Sequence, residues 1–290
     1  MKHRTLALVT AWLATTAFAQ HEHHAAPGQP AASARPGNER SWTAQPLLLP
    51  GRAVRGERAS ATLNPQGIAA AHVTVFAAEG PAERLKVDYP VDAEGARIAS
   101  ATPRTGNYHW VVAREERGSE IRVASTARYF GNPGDSPREL LKTPKHELEI
   151  VPAPLPREHS HYRESEKWSF LVRFEGQPLA GQALKLETEF GSRSVFLTDA
   201  TGHAIVLFPR DFRPQEAGTE GHGRRRAQFV LSTAKESEGR SYLTAFNHAY
   251  AQDADRNRSL GWGAGFGLIG MLAAVPLLRR RNRCGDNHHA

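Results

Sequence analysis

Apolar side chains recur at every second position through most of this chain, and that period of two limits the fold more than any motif in it. His72-Val73-Thr74-Val75-Phe76 alternates, as do Leu85, Val87, Tyr89 and Val91, and later Ile121, Val123, Ser125 and Ala127. Tyr108-His109-Trp110-Val111-Val112 follows the turn-forming Thr105-Gly106-Asn107, and Leu148 and Ile150 repeat the spacing. Successive side chains of a strand leave opposite faces, so each of these runs reads as a half-buried strand. No window of helical period and useful length competes with them between residues 47 and 251. Short alternating segments separated by Gly, Pro, Asn and Asp predict antiparallel β-sandwiches.

Val151-Pro152-Ala153-Pro154-Leu155-Pro156 interrupts the pattern. Prolines so closely spaced are excluded from a central strand and form a stiff extended connector. The expected layout is one sandwich over 47–151, a connector over 152–167 and a second sandwich over 168–251. In the second, Trp168, Phe170, Val172 and Phe174 share one face; Leu184 and Leu186, then Ala204, Val206 and Phe208, begin further strands. Residues 228–232 and 242–250 are the expected final strands, and 210–226 a polar loop.

The two ends of the chain add topology. Residues 260–278 carry no ionisable side chain, and Arg279, Arg280, Arg281 and Arg283 follow at once. As a helix they rise roughly 28 Å at about 1.5 Å per residue, near the ~30 Å hydrocarbon layer, and the arginines mark the cytoplasmic end. Glycine-rich helices followed by arginines also resemble bacterial sorting tails that are cut off later. The spacings Gly261/Gly265 and Gly263/Gly267 suit close helix–helix packing. At the other end Lys2 and Arg4 precede an apolar run that closes with Ala17-Phe18-Ala19, a small-x-small cleavage signal. Residues 1–19 therefore read as an export signal, 20–46 as a disordered His-rich arm, 252–259 as a linker, 260–278 as a transmembrane helix and 279–290 as a cytoplasmic tail. The expected product stands on the periplasmic side of a bacterial inner membrane, crossing it once.

The fold class expected is thus all-β: two immunoglobulin-like or transthyretin-like β-sandwich domains plus one C-terminal transmembrane helix. The single cysteine, Cys284, falls on the expected cytoplasmic side, so an exported region without cysteine must fold on sheet packing alone. Net charge is +7, but much of the excess sits in the arginine tail and in Arg224-Arg225-Arg226, and no basic face interleaved with aromatics argues for nucleic acid.

Gly176-Gln177-Pro178-Leu179-Ala180-Gly181, Leu184-Lys185-Leu186-Glu187, Thr198-Asp199-Ala200-Thr201-Gly202 and Phe208-Pro209 together resemble transthyretin-like, carboxypeptidase-regulatory-like sandwiches. Preceded by Lys145-His146-Glu147-Leu148-Glu149-Ile150-Val151-Pro152, the stretch 105–209 resembles an uncharacterised exported family, many members of which are labelled periplasmic components of nickel or cobalt uptake systems. The resemblance implies a hairpin at the first glycines and an Asp–Gly turn before a core strand. It also implies a tryptophan- and histidine-bearing strand after Phe208-Pro209, where this chain instead has Arg210-Asp211-Phe212-Arg213.

The chain has 14 histidines, and two groups have ligand spacing. Gln20-His21-Glu22-His23-His24 offers three imidazoles, a carboxylate and the α-amine freed by cleavage, a set suited to copper(II) or nickel(II). Glu158-His159-Ser160-His161 follows the connector; in a strand, His159 and His161 share one side and Glu158 points away. A domain junction is also where sites form. The candidate metal ligands are therefore His21, His23, His24, His159 and His161. His146, His203, His222 and His248 are isolated in sequence, and His109 reads as a strand-surface residue. No G-x-S-x-G elbow, H-E-x-x-H helix, phosphate loop or dinucleotide fingerprint occurs, and Glu187 and Glu189 read as an exposed-face pair. The favoured expectation is a non-enzymatic protein that captures nickel, cobalt or copper, with no organic cofactor, and presents it to an inner-membrane transporter. The rival is a β-sandwich interaction or structural module that docks another envelope protein or wall glycan.

Overall fold

The computed structural model describes residues 42–52, 57–102, 108–131, 134, 136–157, 161–213, 225–253 and 260–283. The expected signal, the arm up to residue 41 and the cytoplasmic tail beyond residue 283 lie outside them, whereas the last residues expected in the disordered arm, 42–46, are packed: Thr43 and Pro46 are buried, and Trp42 lies against Leu47, Val230 and Ala245. Among the described residues the chain is all-β apart from two α-helices and a 3-10 turn at Ala82–Arg84. Its first half contributes β1 (Leu47–Pro50), β2 (Ser60–Gln66), β3 (His72–Ala77), β4 (Lys86–Pro90), β5 (Ala96–Ala99), β6 (Tyr108–Arg117) and β7 (Glu120–Tyr129). A single turn of helix, α1 (Arg138–Lys142), not anticipated from the pattern, leads into β8 (Leu148–Pro152) and β9 (Tyr162–Arg163). The second half follows with β10 (Lys167–Phe174), β11 (Gln177–Pro178), β12 (Ala183–Thr188), β13 (Arg193–Leu197) and β14 (His203–Leu207). It ends with β15 (Arg226–Ser237), β16 (Arg240–Ala251) and α2 (Leu260–Arg283).

One sheet runs through both halves, in the order β13-β12-β15-β16-β7-β6-β3-β4. The halves join where β16 pairs in parallel with β7, from Ser241↔Glu120 to Phe246↔Ser125. β15 and β16, twelve residues each, form a hairpin turned at Glu238 (φ 51°) and Gly239 (φ 73°). Two positive-φ residues in a two-residue turn match the right-handed twist of the flanking strands.

Two smaller sheets cover opposite faces of this large one. β1-β2-β5 packs Leu48, Leu63, Ala96 and Ile98 against Val73, Val75, Val111, Ala113 and Ala124. The sheet of β11-β10-β14, with β8 beside β10, packs Phe170, Val172, Ile150 and Val206 against Trp110, Val123, Phe229 and Phe246. Strand alternation accounts for this: Val111 and Val112 of β6 are neighbours in sequence and enter different cores. Trp110 stacks on Phe246 at 5.4 Å and so ties the two halves through one core. β8, placed by the sequence at the end of the first sandwich, instead pairs with β10 from Leu148↔Phe174 to Pro152↔Phe170 and belongs to the second. The Pro-rich stretch still connects, because prolines cannot donate to a ladder, but it ends in β9, which takes up parallel pairing with β16 at Tyr250↔Tyr162.

The Asp–Gly turn forms as the resemblance implies. Asp199 Oδ1 accepts the backbone N–H of Thr201 (2.8 Å) and of His203 (3.0 Å), and β14 follows with Ala204 and Val206 fully buried. Gly202 has φ 78°, and a Cβ there would stand 2.8 Å from Pro178 Cβ and 2.9 Å from the Val172 carbonyl, so no larger residue fits. Arg210-Asp211-Phe212-Arg213, where the resemblance implies a tryptophan- and histidine-bearing strand, closes the end of the core: Phe212 is buried against Tyr250, 5.3 Å between rings.

Residues 260–278 lie within α2, which has Pro276 inside it. Among the described residues, no helix is long and apolar enough to cross a membrane.

Candidate functional site

The parallel pairing of β7 and β16 stops at Phe246↔Ser125, and β9 resumes pairing with β16 only at Tyr250. Between these points the strands part and leave a cleft of about 230 Å³ at the junction of the two halves. Its wall comes from three places in sequence: the end of β6 and β7 (Tyr108, Arg128, Tyr129), the connector (Leu155, Arg157, His161) and the β15–β16 pair (Arg226, His248, Tyr250). Three arginines and two histidines line it, and among the described residues no Asp or Glu does.

Each of these side chains is held differently. The Arg226 guanidinium donates to His161 Nε2 at 2.6 Å, so that nitrogen is an acceptor and its lone pair is occupied. Arg128 is half-buried with its Cζ 5.7 Å from the Phe130 ring centre, and its Nε is buried without a hydrogen-bond partner among the described residues. Burial draws the Arg128 guanidinium below its ordinary pKa. His248 donates from Nδ1 to the Ala249 carbonyl at 3.1 Å and stacks edge-on against Tyr162 at 5.4 Å. Burial is the main force holding this imidazole below its usual pKa, and the charges of His161, Arg226 and Arg128 push the same way. Arg157 is exposed at the mouth. The acid closest in the bonding network stands behind Tyr250: Asp211 accepts from the hydroxyls of Tyr250 (2.6 Å), Thr188 (2.7 Å) and Ser192 (2.5 Å), and is not part of the wall.

Of the expected metal ligands, His21, His23, His24 and His159 lie outside the described residues. His161 is described, and it is bonded to an arginine rather than set opposite another ligand. Among the described residues no group of three or more His, Cys, Asp or Glu could hold a metal ion. His109 is not on the surface: it is 1% exposed, accepts the Ala101 N–H on Nε2 at 2.9 Å and packs edge-on against Phe130 at 4.7 Å. The Glu187 and Glu189 carboxylates do not form a pair. Glu187 accepts from Gln45 at 3.3 Å and lies 3.6 Å from Arg193, while Glu189 accepts the Gln228 N–H at 2.8 Å.

The arginines of the cleft were legible only in part. Arg224-Arg225-Arg226 stands out as a run, but that its last member opens β15 and faces a cavity depends on strand order. Arg128 and His248 carry no local signal; parallel pairing of β7 with β16, 120 residues apart along the chain, brings them together.

No protein-family model matches this chain, and no curated protein does. Among solved structures it aligns with a 1.5-MDa bacterial ice-binding adhesin described for host cell surface retention, at 9% identity and a TM-score of 0.23, over 72% of this chain and 65% of that one. It also aligns with a Ca2+-stabilized, ice-binding adhesin of an Antarctic bacterium, at 11% identity and a TM-score of 0.22, over 72% of this chain and 49% of that one. The chain thus spans less than two thirds of the length of either, and likeness at these TM-scores carries no argument about fold detail or function.

Proposed function

We propose that this chain is a non-enzymatic binding module of the bacterial envelope that engages its ligand at the cationic cleft between its halves. The cleft itself carries this reading: three guanidiniums and two imidazoles converge where no described acid lines the wall, and the buried Nε of Arg128 has no acceptor among the described residues, a donor whose desolvation an anionic ligand offsets. The finer fold assignment, two immunoglobulin-like or transthyretin-like sandwiches, rests on the resemblance over 105–209. Export by residues 1–19 and a single membrane crossing by 260–278, with the C-terminus cytoplasmic, rest on the sequence. The exposure of Phe266, Leu268, Ile269, Met271 and Leu272 on α2 supports the tether, since apolar side chains so arrayed need lipid or a partner to cover them.

A photo-crosslinking residue in place of Ala249, which lines the cleft, tests the reading in cells. It should capture an envelope component that the same probe at Val195, on the exposed edge strand β13, does not. Identical capture at both positions, or none at either, rejects the cleft as the binding place.

A second reading is favoured by the imidazoles of the arm. His21, His23 and His24, with a freed α-amine, take nickel, cobalt or copper and present it to an inner-membrane transporter, while the sheets serve as a scaffold. The cationic cleft opposes a cation at His161, so metal affinity should belong to the arm. Titration of the chain with and without residues 20–30 separates the readings: loss of nickel and copper binding tighter than about 10 µM, roughly −7 kcal/mol, on removing the arm supports metal presentation, and no binding in either form dismisses it.

A further inference from the structure

We infer that the cleft binds the phosphate group of a small phosphate ester. The inference rests on the reading of the cleft as the ligand site and adds the chemistry of the ligand. Guanidiniums offer paired N–H donors that match tetrahedral oxyanions, and three of them (Arg128, Arg157 and Arg226) line one cleft with His161 and His248. Arg128 is the telling member, because its Nε is buried with no acceptor among the described residues and such a donor keeps its desolvation cost until an acceptor arrives. A carboxylate carries one negative charge and leaves most of this cationic wall uncompensated. A phosphate monoester carries up to two charges and three terminal oxygens, and answers more of it. The rest of the wall suits the organic part of an ester: Tyr108 and Tyr129 stand 5.2 Å apart, ring centre to ring centre, beside Leu155. A volume of about 230 Å³ is enough for a phosphate with a small ring or short chain.

Calorimetry on the full chain in neutral detergent tests this with four probes: inorganic phosphate, phenyl phosphate, benzoate and dihexanoyl phosphatidylglycerol. Phenyl phosphate should bind, and benzoate at least about tenfold more weakly, the worth of one charge-assisted contact. Arg226→Gln and the exposed Arg157→Gln should each weaken phenyl phosphate by about tenfold while the thermal midpoint stays put. The organic part separates the two sources of phosphate: tighter binding of the lipid assigns the cleft to headgroups, and tighter binding of phenyl phosphate assigns it to free esters. Equal affinity for benzoate overturns the inference, as does phosphate affinity unchanged in both variants or weaker than about 10 mM for every phosphate probe. Should crosslinking from position 249 still capture an envelope component in that case, the binding module stands and only its phosphate chemistry falls. Phosphate binding with no captured component removes the module and leaves the phosphate site.

Discussion

Two clusters of arginine in this molecule are built on opposite terms. In the first, Arg173 of β10 is 4% exposed and fully answered. Its Nε donates to Glu149 Oε2 at 2.6 Å, and its two terminal nitrogens donate to the carbonyls of Lys142 (2.6 Å) and Thr143 (3.0 Å) just after α1. Glu149, wholly buried, uses its other oxygen to accept the Lys145 N–H at 3.0 Å. In the second, Arg128, Arg157 and Arg226 share a cleft with two histidines and no described acid. A folded protein satisfies its buried charges wherever only stability is at stake. In the cleft only the buried Arg128 Nε stands without an acceptor among the described residues, and on the proposed reading that donor is left for a ligand.

The largest effect that can break this contrast lies in the satisfied cluster. Arg173→Met strands the Glu149 carboxylate in the core and should cost about 3–5 kcal/mol of stability. Adding Glu149→Leu should recover much of that loss, because an apolar pair needs no compensation. Denaturant unfolding of the two variants checks both statements. A single-variant loss below about 1 kcal/mol would mean the pair is no more answered than the cleft.

Next comes Asn247 of β16, which gives the contrast a neutral counterpart. Its amide bonds both polar groups of Leu48, accepting the N–H at 2.8 Å and donating to the carbonyl at 2.9 Å, and so fastens β1 across the large sheet. Asn247→Leu leaves two buried backbone groups without partners and should cost about 2–4 kcal/mol. Hydrogen exchange at Leu48 N–H should accelerate in step with the loss, and an unchanged rate would show that the amide is not what holds β1.

A titration sharpens the comparison further. The His146 ring nitrogens are buried near Arg173, and burial first, then the charge of Lys145, hold its pKa down at about 3. The unfolded chain protonates this residue near 6.5 while the folded chain does not. Stability is therefore present above pH 6.5 and lost as pH falls from there toward 3, reaching about 2 kcal/mol at pH 5 from this residue alone. His146→Phe should flatten the pH dependence of the unfolding midpoint between pH 6.5 and 4. A curve as steep as before would place the acid sensitivity elsewhere, and His248, held low in the cleft, is the next position to substitute.

How much of this was readable in the sequence follows from the range of the interactions. Period two marked β3, β4, β6, β7, β10 and β16 closely, because one buried face imposes alternation along each strand whatever its partners. It missed β2, whose Leu63 alone is buried, and β13, whose Val195 and Leu197 are exposed. The continuous sheet was hidden because a parallel pairing of β7 with β16 leaves no turn between them to read. Tyr162, expected in the connector, is fully buried amid Trp168, Phe170, Phe208 and Phe229, a role that no window shorter than the whole second half reveals. The cleft was less legible still. The sequence flagged the connector histidines for their mutual spacing, whereas the structure makes His161 a partner of Arg226, 65 residues on.

The smallest predicted effect is also the one that decides between the two clusters. Arg226 and Arg157 are exposed at the cleft, and neither has a described carboxylate partner, so removing either charge takes away no ion pair and relieves a like-charge contact. Arg226→Gln and Arg157→Gln should therefore change unfolding free energy by no more than about 0.5 kcal/mol, in the stabilising direction if in any, and more so at low salt, where like charges repel over longer distances. The same substitutions in a cluster built for folding would behave as Arg173→Met does. Losses near 3 kcal/mol would make the cleft arginines part of the scaffold; stability held constant while ligand capture at position 249 disappears makes them part of the site.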